Sequence, residues 1–239
     1  MVNTETLLIV DTSTQAGSLA LCRGDEVLGE CFLNVRRTHS ETLLPALQGL
    51  LESTGCRMEE IDVLGCIIGP GSFTGVRIAV ATVQGLALKL GCAVATANSL
   101  ETLAHNLPGA RYPVCALIDA RKDEVYAAVY EGPGLNHALI EPCVMPPLEF
   151  LEAQGQEMFF IGDGALRYRT LIVRQRGCRA HFLPAPFNSV RASSALPLLR
   201  RRIESGETLC AGQLVPLYIR PSDAEISLAK RLKEPSIEG

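Results

Sequence analysis

The 239-residue chain lacks several things that would have decided its chemistry at once. Its nine cysteines are odd in number and include no CxxC pair, which excludes a zinc ribbon or an even disulfide framework and fits reduced, mostly buried thiols in a cytosol. No strong charge of either sign is present: 22 basic against 26 acidic residues give a net charge of -4, so no field draws the chain onto nucleic acid by itself. The start has no basic segment, and its first apolar run, Leu7 to Val10, stops at Asp11, so neither a signal peptide nor a membrane span is expected. The four histidines form no HExxH or HxxxH pair. With 47% hydrophobic residues, the length suits two modest cores.

What is present centres on Gly69-Pro70-Gly71-Ser72-Phe73-Thr74-Gly75-Val76-Arg77, a glycine-punctuated turn between an apolar strand and a long helix. Gly69, Gly71 and Gly75 permit a tight backbone, and Ser72 and Thr74 can cap free N–H groups at the positive end of the helix dipole. The loop is not a Walker motif, because no Gly-Lys-Ser/Thr follows and the next lysine is Lys89. It is not the dinucleotide fingerprint either, since Gly75 comes one residue late. A candidate anion or nucleotide site therefore lacks the usual phosphate lysine.

Around this turn the pattern predicts a meander of three strands at Leu7–Val10, Ser18–Cys22 and Val27–Phe32, closed by Asp11-Thr12-Ser13-Thr14 and Arg23-Gly24-Asp25. Thr38 and Glu41 form a capping-box pattern before a helix that carries Pro45, where a kink is expected, and ends near Gly55. A strand at Asp62–Ile68 feeds the glycine turn, the next helix runs from about Ser72 to Leu90, and a strand at Cys92–Thr96 leads into a helix from Ser99 to His105. Near Leu107-Pro108-Gly109 the plan restarts: Val114–Ile118, the turn Asp119-Ala120-Arg121-Lys122-Asp123, then Glu124–Tyr130. A proline-rich stretch, a short helix near Leu148, the strand Met158–Ile161 and a helix from about Ser193 to Glu204 complete the second half. The expected division is residues 1–106, 107–221 and a charged tail at 222–239.

Two apolar stripes run along the long helix. Phe73, Val76, Val80, Val83, Leu86 and Leu90 form one; Ile78, Ala81, Gly85 and Leu88 form another. The first can pack on the sheet of its own half. The second needs a neighbouring helix, either the helix of Leu43, Leu47 and Leu50 within the subunit or one from another chain, and the two helices are expected to form half of an intermolecular bundle.

The run Asp11-Thr12-Ser13-Thr14, the stretch from Gly69 to Arg77, Asp119-Ala120-Arg121 with Glu124-Val125-Tyr126, Gly162-Asp163-Gly164 and Tyr218-Ile219-Arg220 together resemble the TsaB (YeaZ) family across nearly the whole chain. The resemblance implies an α/β fold of the actin-like ATPase superfold, two duplicated domains each with a mixed sheet flanked by helices. It also implies a cytoplasmic partner role in the threonylcarbamoyl modification of adenosine 37 in tRNA. The chain would act as a non-catalytic scaffold that binds and activates a TsaD-like catalytic subunit, with a TsaE-like ATPase also engaged. It would be homodimeric when alone and would meet tRNA only through the complex. ATP or ADP, if held, would sit at the complex interface. TsaD-like proteins carry two histidines four residues apart on the helix here occupied by Ser99 and Leu103, and leucine cannot bind a metal.

Each feature has a plainer alternative. Asp11 stands where superfamily members place a carboxylate near the nucleotide's metal, yet it also fits a turn closing the first strand. Asp119 and Arg121 fit a hairpin turn with a surface ion pair, and Gly162-Asp163-Gly164 is better read as a strand-to-helix turn. Arg200, Arg201 and Arg202, with Arg167, Arg169, Arg174, Arg176 and Arg179, have no interleaved aromatics, which favours a solvated face over a tRNA patch. The rival functions are an autonomous nucleotide-dependent phosphotransferase or ATPase built on Asp11, Asp119 and the glycine turn, and a metallopeptidase, for which no water-activating group is visible.

Overall fold

The computed structural model describes residues 4–132, 137–153 and 155–220, so the expected charged tail lies outside the described residues. Two five-stranded mixed sheets carry the fold. In the first, β1 (Thr6–Asp11), β2 (Gly17–Arg23) and β3 (Glu26–Leu33) form the antiparallel meander. β4 (Val63–Ile67) and β5 (Ala93–Ala97) add in parallel beside β1, giving the order β3-β2-β1-β4-β5. The second sheet repeats this plan with β6 (Val114–Arg121), β7 (Glu124–Tyr130), β8 (Ala138–Met145), β9 (Met158–Ile161) and β10 (Ala180–Phe182), in the order β10-β9-β6-β7-β8. Meander first, parallel pair second, in both halves: the second sheet repeats the first strand for strand. β1 and β4 are buried along their whole length, which explains their uninterrupted apolar runs.

Three apolar layers follow from this stacking. One lies between the sheets and includes Leu7, Ile9, Val114 and Ala116. A second covers the outer face of the first sheet with α1 (His39–Thr54) and α2 (Phe73–Leu90). The third covers the outer face of the second sheet, where Phe150 of α4 (Pro147–Glu152) and Ile172 of α6 (Arg169–Arg176) pack on Leu117, Val125 and Phe160. By length and composition α2 is apolar enough to cross a bilayer. Its Val76, Ala79, Val80, Val83 and Ala87 are instead buried in the second layer.

The halves exchange helices. α3 (Ser99–Ala104) follows the first sheet in sequence but packs on β6 and β7 of the second. α7 (Leu196–Glu204) follows the second sheet but packs on β5 of the first, with Leu199 against the space left open by Gly65. Each sheet is therefore covered in part by a helix from the other half of the sequence. The exchange is fixed by polar contacts: Arg200 of α7, 5% exposed, donates to the Gly24 and Glu5 carbonyls and pairs with the Glu5 carboxylate at 2.8 Å. Glu30 on β3 accepts from the Arg191 guanidinium at 2.9 Å and from the Ser193 backbone and hydroxyl.

Other expectations need correction. Thr38 is the N-cap of α1 by position, but its hydroxyl lies 3.1 Å from Ser40 Oγ and makes no cap bond, so no capping box forms with Glu41. The helix continues unbroken through Pro45 to Gly55, whose φ of 67° makes the left-handed stop that glycine supplies. The proline-rich stretch contains strand β8, and Pro142 is tolerated because β8 is an edge strand. α5 (Asp163–Arg167), α6 and β10 are short, α6 with three arginines in eight residues, and periodicity alone did not reveal them. The last long helix begins at Leu196 after a single 3₁₀ turn at Ala192–Ala195, not at Ser193.

Candidate functional site

Two features stand out: a cleft between the sheets and an uncovered face on α1 and α2. The cleft has a volume of about 680 Å³. One wall is the loop after β1, Ser13 to Gln15, with the start of α2. Opposite stand the β6–β7 turn at Asp119, Ala120 and Arg121, and the start of α5 at Asp163 and Arg167. The segment Leu217–Arg220 lines the remaining side.

The glycine turn is spent inside the chain. Ser72 caps α2 as expected, its hydroxyl accepting from the Gly75 N–H at 3.2 Å, but Thr74 lies inside the first turn, exposed, and caps nothing. The Ser72 N–H donates to the Ser13 carbonyl at 2.7 Å, and the Thr12 hydroxyl donates to the Gly75 carbonyl at 2.7 Å. A Cβ at Gly71 would collide with the Ser13 carbonyl oxygen, and one at Gly75 with that of Thr12. Glycine is required there because the loop after β1 lies against the helix start, and Gly69 is required by its φ of 100°. Two N–H groups of the helix start, those of Ser72 and Gly75, are thus engaged by the chain's own oxygens.

Asp11, at the end of β1 just before this loop, is fully buried. Its Oδ1 accepts from the Ser13 N–H at 2.9 Å. Burial pushes the carboxyl up to about 7, and the Ser13 bonds only partly offset this. Asp119 takes its plainer role in a hairpin turn: Oδ1 accepts from the Arg121 N–H at 3.1 Å, and Oδ2 lies 3.2 Å from Arg167 and 3.5 Å from Arg121. Arg121, Lys122 and Asp123 all adopt positive φ, a costly run for residues with a Cβ. Asp163 accepts from the Asp119 N–H at 3.1 Å, and its burial raises its carboxyl above the usual range. Gly162 and Gly164 sit against the Leu117 backbone, the close strand-to-helix turn the sequence favours.

Sequence reasoning missed the fourth side. Tyr218 stacks on Phe73 with ring centroids 5.0 Å apart, and the Arg77 guanidinium lies 3.7 Å from the Phe73 centroid. Leu217 donates its N–H to the Ile68 carbonyl at 2.8 Å, while Arg220 bonds Glu124 and the Ala120 carbonyl on the other half. This strap ties the two halves across the mouth of the cleft. Only the tyrosine-isoleucine-arginine motif marked it, without a contact to explain it.

On α2 the outward face carries Ile78, Ala81, Gly85 and Leu88. Ala81 and Gly85 are exposed, Leu88 is 75% exposed, Ile78 is half-buried, and a Cβ at Gly85 would meet nothing within 4 Å. Leu43, Leu47 and Leu50 of α1 need correction as surface residues, because all three are buried on the first sheet with Leu8, Leu19 and Leu64. The outer face of α1 instead presents Leu44, 58% exposed, and Leu51. Between the two helices runs an apolar groove of about 490 Å³ lined by Leu44, Leu51, Met58 and Leu86. Ser99 and Leu103, at the positions of the partner family's metal pair, are both buried, and Leu103 belongs to the layer between the sheets.

A family model described as TsaD, tRNA N6-adenosine threonylcarbamoyltransferase, matches residues 27–227. The tRNA threonylcarbamoyladenosine biosynthesis protein TsaB of Haemophilus influenzae is 40% identical over 90% of this chain and 93% of its own length. That of Escherichia coli is 31% identical over 90% and 94%, and that of Bacillus subtilis 29% identical over 92% and 96%. Among solved structures, YeaZ from Pseudomonas aeruginosa is similar with a TM-score of 0.78 at 33% identity, covering 90% of this chain and 99% of that one.

Proposed function

Since the chain belongs to the TsaB family and takes part in the threonylcarbamoyladenosine modification of tRNA, we propose that it is the non-catalytic docking subunit of the transferase, binding and activating a TsaD-like catalytic subunit. The observation that carries this reading is the uncovered face of α2. An 18-residue helix whose outward face offers Ile78, Ala81, Gly85 and Leu88 has an apolar surface that its own subunit leaves open. Small residues at Ala81 and Gly85 let another helix approach closely, and the groove beside Leu44 and Leu86 accepts large apolar side chains. The same face serves a second copy when the catalytic subunit is absent, so homodimer and mixed complex are alternatives. A TsaE-like ATPase and tRNA meet the assembled complex and not this chain alone.

Autonomous nucleotide chemistry finds less support. The Ser72 and Gly75 N–H groups at the α2 start are bonded within the chain, and Asp119 is paired with Arg121 and Arg167. The test is reconstitution of tRNA modification from purified components of one organism. The reading requires that omitting this chain abolish modification by the TsaD-like subunit; a full rate without it refutes the proposal.

A further inference from the structure

The starts of both docking helices are held by one short loop. α1 lacks a side-chain cap of its own, and its first turn is tied to residues far back in the chain. His39 Nε2 lies 2.8 Å from the Thr14 carbonyl oxygen, and because a carbonyl only accepts, the imidazole proton sits on Nε2. The ring lies close over Gly17, where a Cβ would stand 3.2 Å from Nδ1. α2 starts on the two preceding residues: Ser13 accepts from the Ser72 N–H, and Thr12 donates to the Gly75 carbonyl. Thr12, Ser13 and Thr14 therefore hold the first turns of both helices.

The same loop is a wall of the cleft. Ser13, Thr14 and Gln15 line it opposite Asp119, Arg121 and Asp163, while the strap at Tyr218 and Arg220 fixes the separation of the halves. The loop is anchored on a fully buried carboxyl, the Asp11 Oδ1 that accepts from the Ser13 N–H at 2.9 Å.

We infer that Thr12–Thr14 is a relay between the interdomain cleft and the docking helices, and that His39 is the positioning residue through which it sets α1. Any change in cleft width or contents that displaces Ser13 and Thr14 displaces both helix starts. By the reciprocity of linkage, a partner clamped on α1 and α2 restrains the cleft. The regulatory meaning rests on the docking reading; the mechanical coupling within the chain does not.

Amide hydrogen exchange on the chain alone tests the coupling. His39→Ala is expected to raise exchange severalfold in the first turn of α1, at residues 12–15 and in the first turn of α2, with β6 and β7 unchanged. His39→Gln, whose amide can reach the same carbonyl, restores the native pattern, and Gly17→Ala, which crowds the ring, reproduces the His39→Ala pattern. A rise confined to residues 39–42 in both disrupting variants overturns the relay. Calorimetric titration with the TsaD-like subunit then tests its consequence: His39→Ala weakens binding by about tenfold, and His39→Gln does not. Unchanged affinity in His39→Ala removes the positioning role. A wild-type chain that binds no such subunit removes the docking reading and leaves the exchange result to decide the coupling.

Discussion

Arg77 Nε donates a 2.8 Å hydrogen bond to the Tyr218 hydroxyl across 141 residues of sequence, joining the start of α2 to the strap at the cleft mouth. Phe73 lies in the same cluster, stacked on the tyrosine and covered by the guanidinium. Tyr218→Phe removes only the exposed bond and should cost about 0.5 kcal/mol, whereas Tyr218→Ala also removes the stacking and should cost about 1–2 kcal/mol. Urea denaturation of the two variants separates these contributions.

Two glycines of one helix should respond in opposite directions. Gly75→Ala forces a methyl into the Thr12 carbonyl and should destabilise by about 3 kcal/mol or more. At Gly85 a Cβ meets nothing, so Gly85→Ala should stabilise the subunit by about 0.5–1 kcal/mol through helix propensity alone. Thermal unfolding of both variants checks the sign of each.

Asp11 makes stability depend on pH. Its folded carboxyl titrates at about 7, above the ordinary value of 3.8, so the native state binds the proton more tightly than the unfolded chain. That contribution is fully present below the unfolded value and is lost as the pH rises through about 7. Asp11→Asn cannot ionise, and its stability relative to wild type should improve by at least ~1 kcal/mol between pH 4 and pH 8. Chemical denaturation across that interval measures the difference; a constant gap between the two proteins contradicts the assignment.

Arginines that look alike in sequence should differ widely. Arg200 is buried between the Glu5 carboxylate and two backbone carbonyls, so Arg200→Ala should cost about 3–5 kcal/mol by stranding the carboxylate and unpairing the carbonyls. Arg174 is exposed on α6, and Arg174→Ala should stay within about 0.5 kcal/mol of wild type.

These contrasts show which parts of the molecule were legible in the sequence. Strands such as Leu7–Val10 and Val114–Ile118 are buried on both faces and therefore read as continuous apolar runs, and the repeated aspartate turns exposed the duplication. The two stripes of α2 were visible because helical periodicity is local. The helix exchange was not visible: nothing near Leu199 or Leu103 says which sheet they will meet, since both are apolar residues on short helices. Leu43, Leu47 and Leu50 were misassigned for the same reason, because an amphipathic stripe specifies that a face is covered and not by what. The glycine turn invited an anion because Gly71 and Gly75 can make room for a phosphate or for a neighbouring backbone. Only the carbonyls of Thr12 and Ser13 decide between the two.

The docking face is tested most directly by light scattering coupled to size exclusion, on the chain alone and mixed with its organism's TsaD-like subunit. The account predicts a homodimer that exchanges into a mixed complex, and an Ala81→Glu variant that stays folded as a monomer and enters neither assembly. An Ala81→Glu chain that still forms the mixed complex with wild-type affinity would contradict it.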